Sequence, residues 1–126
     1  MANVKEIGEK LVGLCREGRN MEALETLSSP DIVSVEAMGN PQMPAVMEGM
    51  KAVKGKGEWW EANHEIHRAE AKGPFPNGDR FAVIFNYEVT PKQGPMAGQR
   101  MAMEEVALYT VKDGKIVREE FFYTMG

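Results

Sequence analysis

Apolar positions near the start of the chain recur with a helical period. Val4, Ile7, Leu11 and Leu14 stand three or four residues apart, which predicts an amphipathic helix over about residues 2–16. Gly18 then supplies a C-cap, because glycine enters the left-handed region that closes a last turn. Asn20 is placed to cap a second, shorter helix, with Glu22 and Glu25 near its positive end and Met21, Leu24 and Leu27 facing inward. Ser28-Ser29-Pro30-Asp31 breaks that helix, and Ile32 to Ala37 reads as a short strand. Residues 38–44 hold two prolines and a glycine and predict a loop. Met50, Val53 and Trp60 return to helical spacing, so a third helix is predicted over 49–62. Gly55 and Gly57 weaken it by about 1 kcal/mol each relative to alanine.

The period then shortens to two. His64 to Lys72 reads as a strand, Gly73 to Gly78 as a turn, and Arg80 to Thr90 as a strong strand. In the last of these Phe81, Val83, Phe85, Tyr87 and Val89 share one face. Residues 91–99 form a loop. Met101 to Val111 and Ile116 to Tyr123 follow, joined through Asp113-Gly114 as a hairpin. Helices come first and strands last, so the expected class is α+β with an antiparallel sheet. Ile84, Val106 and Leu108 are apolar on the face opposite Val83, Phe85, Ala107 and Tyr109. A sheet that is apolar on both faces needs two partners.

Carboxylates sit inside these apolar strands, at Glu104, Glu105, Glu119 and Glu120. An ionised side chain in a sheet is costly unless it is paired, exposed or turned toward a wet cavity. The pattern therefore predicts a sheet that lines a pocket.

Size and charge narrow the choices. The 126 residues suffice for one compact domain spanning residues 1–126. A net charge of −4 without a basic patch argues against nucleic acid as a partner. Lys51, Lys54 and Lys56 form the one positive cluster and read as a solvated helix face. No apolar run approaches the roughly 18–20 residues that cross a bilayer, so no membrane partner is expected. The polar N-terminus does not read as a signal peptide, and a lone cysteine, Cys15, fits a reducing cytoplasm. Cys15 itself reads as a small buried hydrophobe. Ten methionines suit an adaptable core or cavity wall, and Met38, Met43 and Met47 surround the proline-rich loop as a pliable lid.

The order helix–helix–short strand–helix–four long strands resembles the nuclear transport factor 2-like superfamily, and within it the SnoaL-like branch. The resemblance spans nearly the whole chain. It is carried by Gly18, by Ser29-Pro30-Asp31-Ile32-Val33-Ser34-Val35-Glu36, by Glu48-Gly49-Met50-Lys51-Ala52-Val53 and by Val111-Lys112-Asp113-Gly114-Lys115-Ile116. It implies a cystatin-like cone, with a curved sheet wrapped around N-terminal helices and a central pocket. It also implies a homodimer packed through the outer sheet face. The scaffold hosts isomerases, cyclases, dehydratases and binders, so it does not name a reaction.

The resemblance places Glu36, five residues after Asp31, where the ketosteroid isomerase branch keeps its general base. The alternative is a strand-end glutamate paired with a lysine or arginine. The tyrosine and acid that form the isomerase oxyanion clamp correspond to Lys10 and to Ala107 or Val106, so steroid isomerisation is not expected. Glu119 shares a face with Val117, Phe121 and Tyr123, which the resemblance turns toward the cavity. Glu105 shares a face with Met101, Met103, Ala107 and Tyr109, and a bulge would exchange it with Glu104. Two carboxylates in one cavity would divide into an acid and a base. A buried ion pair with Arg100 or Arg118, or a polar dimer interface, is the alternative. His64 and His67 fall on opposite faces of a strand, which argues against a shared metal and leaves open which one faces the pocket. Phe85 and Tyr87 would form apolar walls with one hydroxyl, and Trp60 fits the stripe of Val53.

Two readings follow. One is a cofactor-free and metal-free acid–base enzyme of isomerase, cyclase or dehydratase type. It acts on a small apolar organic molecule through Glu36 as base, with His67, Glu119 or Tyr123 as acid. His64, Trp60, Phe85, Tyr87, Glu105, Tyr109 and Phe121 would then contact the ligand. The other is a non-catalytic ligand-binding or dimeric interaction module, in which the carboxylates are already neutralised by a cation.

Overall fold

A computed structural model describes residues 3–39 and 43–123. Residue 2 of the expected first helix and residues 40–42 of the expected loop lie outside the described residues. Helix α1 spans Val4–Arg16 and α2 Asn20–Leu27, followed by strands β1 (Ser28–Val35) and β2 (Val46–Glu48). Helix α3 covers Met50–Asn63, and β3 (His64–Asn77), β4 (Arg80–Pro91), β5 (Met101–Lys112) and β6 (Lys115–Phe122) complete the chain.

The apolar stripe of α1 faces the sheet, with Ile7, Leu11, Val12 and Cys15 buried. Asn3 caps the helix by accepting from the Glu6 N–H at 2.8 Å. Gly18, at φ +75°, allows a Schellman closure in which the Arg19 N–H reaches the Leu14 carbonyl at 2.8 Å. That closure puts Arg19 at the N-cap position of α2, and Asn20 becomes its first residue instead of the expected cap. Burial pushes the Cys15 thiol up to about 12. Its reaction with an aromatic disulfide reagent is expected to be slow in the native state and complete once denaturant is added.

The six strands form one sheet in the order β2-β1-β6-β5-β4-β3. Four of its five pairings are antiparallel, and β1 lies parallel to β6. The sheet is therefore mixed, where a wholly antiparallel one was expected. Strands far apart in sequence carry no hairpin constraint, so β6 can settle beside β1 in the same direction. The Asp-Gly hairpin is as expected, with Asp113 at φ 52° and Gly114 at φ 77°.

The segment read as a turn at residues 73–78 is different. Strand β3 continues to Asn77, and Gly78-Asp79 makes the reversal. Pro74 is tolerated because β3 is an edge strand, and the register against β4 shifts between Lys72 and Phe75. Helix α1 rides directly over this point. A Cβ added at Gly8 would lie 2.6 Å from Pro74 Cβ and 3.2 Å from the Phe81 ring. Gly8→Ala is therefore expected to lose about 1–3 kcal/mol in denaturant titration despite alanine's better helix propensity.

The core lies between α1, α2 and α3 and the inner sheet face. Phe81, Val83, Phe85 and Val89 of β4 are buried there, with Ala107 and Tyr109 of β5 and Ile32 of β1. Among the described residues no helix is long and apolar enough to cross a membrane.

Candidate functional site: a lysine-centred carboxylate cluster

Strand β1 presents Ile32 and Ser34 on its inner face, both fully buried. Glu36 follows in the same alternation just beyond the strand, where its N–H donates to the Ala45 carbonyl at 2.8 Å. Lys56 meets it from α3. The lysine follows buried Val53 by three residues and precedes Trp60 by four, so it lies on the packed stripe of that helix. Its side chain is 14% exposed. Its Nζ donates to Ser34 Oγ and, at 2.7 Å, to Glu36 Oε1, and stands 4.9 Å from the centroid of the Phe121 ring. The Tyr123 hydroxyl donates to the other oxygen of Glu36 at 3.0 Å.

Ser34 and Glu119 are paired across the parallel strands β1 and β6, and their side chains hydrogen-bond. Glu119 is only 9% exposed. Strand β5 contributes Glu105, which pairs with buried Phe85, whereas Glu104 pairs with Asn86 on the outer face. Glu105 is thus the inward member of that pair. The bulge lies elsewhere, at Val117, because Thr110 pairs with Arg118 and Val111 with Ile116. It turns Ile116 inward and keeps Glu119, Phe121 and Tyr123 in phase with the interior.

The electrostatics follow from this crowding. Burial raises the Glu105 carboxyl to about 7, and the charges of Glu36 and Glu119 push the same way against Lys56. Burial also raises Glu119, while Lys56 and the Ser34 bond pull it back. The Tyr123 phenol is raised, first by burial and then by Glu36, so it stays a neutral donor. Although three carboxylates share this region, no three His, Cys, Asp or Glu residues are arranged to hold a metal among the described residues.

Glu36, Glu105, Glu119, Phe121 and Tyr123 are thus brought together. The other candidates are placed as follows. The His64 ring stacks on Trp60 at 4.5 Å, and its Nδ1–H donates to the Trp60 carbonyl at 2.8 Å. Trp60 touches Tyr87 at 5.5 Å and Tyr87 stacks on Phe85 at 5.9 Å, so these rings form a row beside the cluster. Tyr109 is core, buried and stacked on Phe81 at 4.9 Å. His67 stands apart on edge strand β3, exposed and bonded to Thr90 Oγ1 at 2.7 Å. Arg100 and Arg118 pair with the outer-face Glu88 and Glu120 and reach neither Glu105 nor Glu119.

Sequence reasoning missed Lys56 and Ser34. The solvated-face reading holds for Lys51, which is exposed, and for Lys54, which pairs with Glu25 at 2.8 Å, but not for Lys56. The signal was the Val53–Lys56–Trp60 spacing.

Glu36, Glu105, Phe121 and Tyr123, with Val106 and Phe122, line a cleft of about 590 Å³ where β1 and β6 end. A second depression, about 400 Å³, lies on the outer face of β3–β5 and is walled by Arg68, Glu70, Lys72, Glu88 and Glu104.

Among solved structures, a Mesorhizobium loti protein provisionally named a SnoaL-like polyketide cyclase, and also a carbohydrate phosphatase, is 43% identical, covering 97% of this chain and 100% of its own, with a TM-score of 0.89. A cystatin-like protein of unknown function from Xanthomonas campestris is 23% identical over 98% of this chain and 92% of its own, with a TM-score of 0.75. A Catenulispora acidiphila protein with a ketosteroid isomerase-like fold, solved in complex with trimethylamine, is 21% identical over 98% and 88%, with a TM-score of 0.72. No curated protein matches the chain. The SnoaL-like domain profile aligns with residues 2–123, and on that match over nearly its full length the chain belongs to the SnoaL-like family.

Proposed function

We propose that the protein binds a small, largely apolar organic molecule bearing a carbonyl or hydroxyl, and moves a proton on it by cofactor-free acid–base chemistry. The observation that carries this reading is Glu105. Its carboxyl sits at about 7, on the inner face, within the influence of Lys56. A carboxyl poised near neutrality can both take and give a proton at working pH. Glu36 is bonded through both oxygens, to Lys56 and Tyr123, which suits it to orient those two groups. The base role that the sequence placed at Glu36 therefore passes to Glu105 in this proposal. Phe121, with Val106 and Phe122, supplies the apolar walls of the cleft. The Mesorhizobium loti relative carries two provisional names, polyketide cyclase and carbohydrate phosphatase, of which the first is in keeping with chemistry of this class.

One observation favours a non-catalytic binder: Glu36 is already neutralised by Lys56 at 2.7 Å. A screen of apolar carbonyl and hydroxyl compounds by thermal shift, followed by product analysis on each hit, separates the two. Turnover lost in Glu105→Gln supports the enzyme. Stabilisation without product supports the binder, and turnover unchanged in Glu105→Gln removes Glu105 from the chemistry.

We also propose a homodimer through the outer sheet face. Val46 and Val35 are paired there, as are Val106 and Phe122, and Ile84 adjoins Val106. Phe122 is 50% exposed and Val106 37%, which leaves an apolar band across the sheet. Phe122→Glu is expected to convert a sedimenting dimer to monomer. A wild type that sediments as a monomer at all concentrations would end this proposal.

A further inference from the structure

Lys56 brings an ammonium into a cluster whose hydroxyl donors are both committed. Tyr123 gives its proton to Glu36, and Ser34 is bonded to Glu119. Lys56 has three N–H groups, of which two go to Ser34 and Glu36. Among the described residues no acceptor is recorded for the third. The ammonium also stands 4.9 Å from the Phe121 ring centroid, and the ring face helps fix its position. The side chain is 14% exposed, and its partners Glu36 and Phe121 line the cleft that opens beside it. A charge-assisted hydrogen bond gains most in such a setting.

We propose that Lys56 anchors the ligand: its third N–H donates to the oxygen of an enolisable carbonyl compound or phenol lying against Phe121 and Glu105. This deepens the reading above and rests on it only for the location of the pocket. The ligand class follows from the donor. An ammonium held by two acceptors offers one N–H and a positive charge, which favours an oxygen that accumulates negative charge, as an enolate or phenolate does. An ether or an aliphatic alcohol gains much less. Glu105 in its acid form would add a second donor to the same oxygen.

The test uses para-nitrophenol, whose phenol and phenolate forms differ in visible absorbance, titrated at pH 6 with the full-length protein. Wild type is expected to bind it and to raise the phenolate fraction above that of free probe. Lys56→Met should weaken binding by about tenfold to a hundredfold and lose the phenolate band, while Lys56→Arg, which keeps the cation, retains most of both. Because Lys56→Met removes a buried charge, a second measurement is made on wild type alone. Amine acetylation followed by mass spectrometry should show Lys56, and not exposed Lys51, protected by saturating probe. Equal affinity and ionisation in wild type and Lys56→Met, unprotected Lys56, or failure of wild type to bind would each overturn the proposal. Binding retained by a folded Lys56→Met would remove Lys56 and leave the pocket standing. The absence of turnover in the metabolite screen bears on catalysis and not on this anchoring role.

Discussion

Lys56→Met is expected to lower stability by about 3–5 kcal/mol at pH 8, the cost of leaving a buried ion pair without its cation. The side chains of Lys56 and Glu36 are 14% and 24% exposed, so solvent cannot fully replace the lost contact. Glu119 loses the same attraction, and it is more deeply buried. The loss should shrink at pH 5, because Glu105, raised to about 7 by burial, takes up a proton and reduces the uncompensated charge. The double variant Lys56→Met/Glu36→Gln should recover part of the loss, since removing both partners is cheaper than removing one. Denaturant titrations at the two pH values check this. A loss at pH 8 no larger than that of exposed Lys51→Met, for which about 0.5 kcal/mol is the usual limit, would mean that the cluster is well hydrated.

Glu105→Gln is expected to act in the opposite direction and stabilise the protein above neutrality. The folded carboxyl sits at about 7 against an ordinary 4.5, so the fold holds a proton that the unfolded chain has released. Wild-type stability is therefore full below about 4.5, falls as pH rises, and levels off above about 7. The whole loss is about 3 kcal/mol on the scale of 1.36 kcal/mol per pKa step, and glutamine avoids it by never ionising. Thermal melts of the two proteins should nearly coincide at pH 4.5 and separate progressively to pH 8, with the variant higher. Parallel curves would show that Glu105 has an ordinary carboxyl and would remove the observation on which the acid–base reading stands.

Much of this architecture was readable from residue order. The stripe of Val4, Ile7, Leu11 and Leu14, the alternation of Phe81 to Val89 and the Asp113-Gly114 hairpin are local patterns, and local patterns report on local backbone. The three-residue β2 was not anticipated, because so short a strand has no period of its own. The turn expected at residues 73–78 became part of β3 because proline's missing N–H disrupts a strand only where both ladder edges are in use, and β3 has a free one. The candidate site was legible in part. Carboxylates inside apolar strands marked Glu105 and Glu119, since buried charge is rarely accidental. Its charged neighbours Lys51 and Lys54 give Lys56 the pattern of a solvated face, although its spacing from Val53 and Trp60 puts it on the packed side.

The amino-acid order alone determined the three helices and the long strands in their order, the α+β class and which strands carry interior acids. All of these depend on periodicities and turn chemistry within a few residues. Assembly of the sheet settled the remainder: the parallel seating of β6 beside β1, the choice of Glu105 over Glu104, and the meeting of Lys56 with Glu36, Glu119 and Tyr123. Those contacts join residues 20 to 87 positions apart. No local pattern carries such information, because it arises only when register and bulge position bring separate elements to one place.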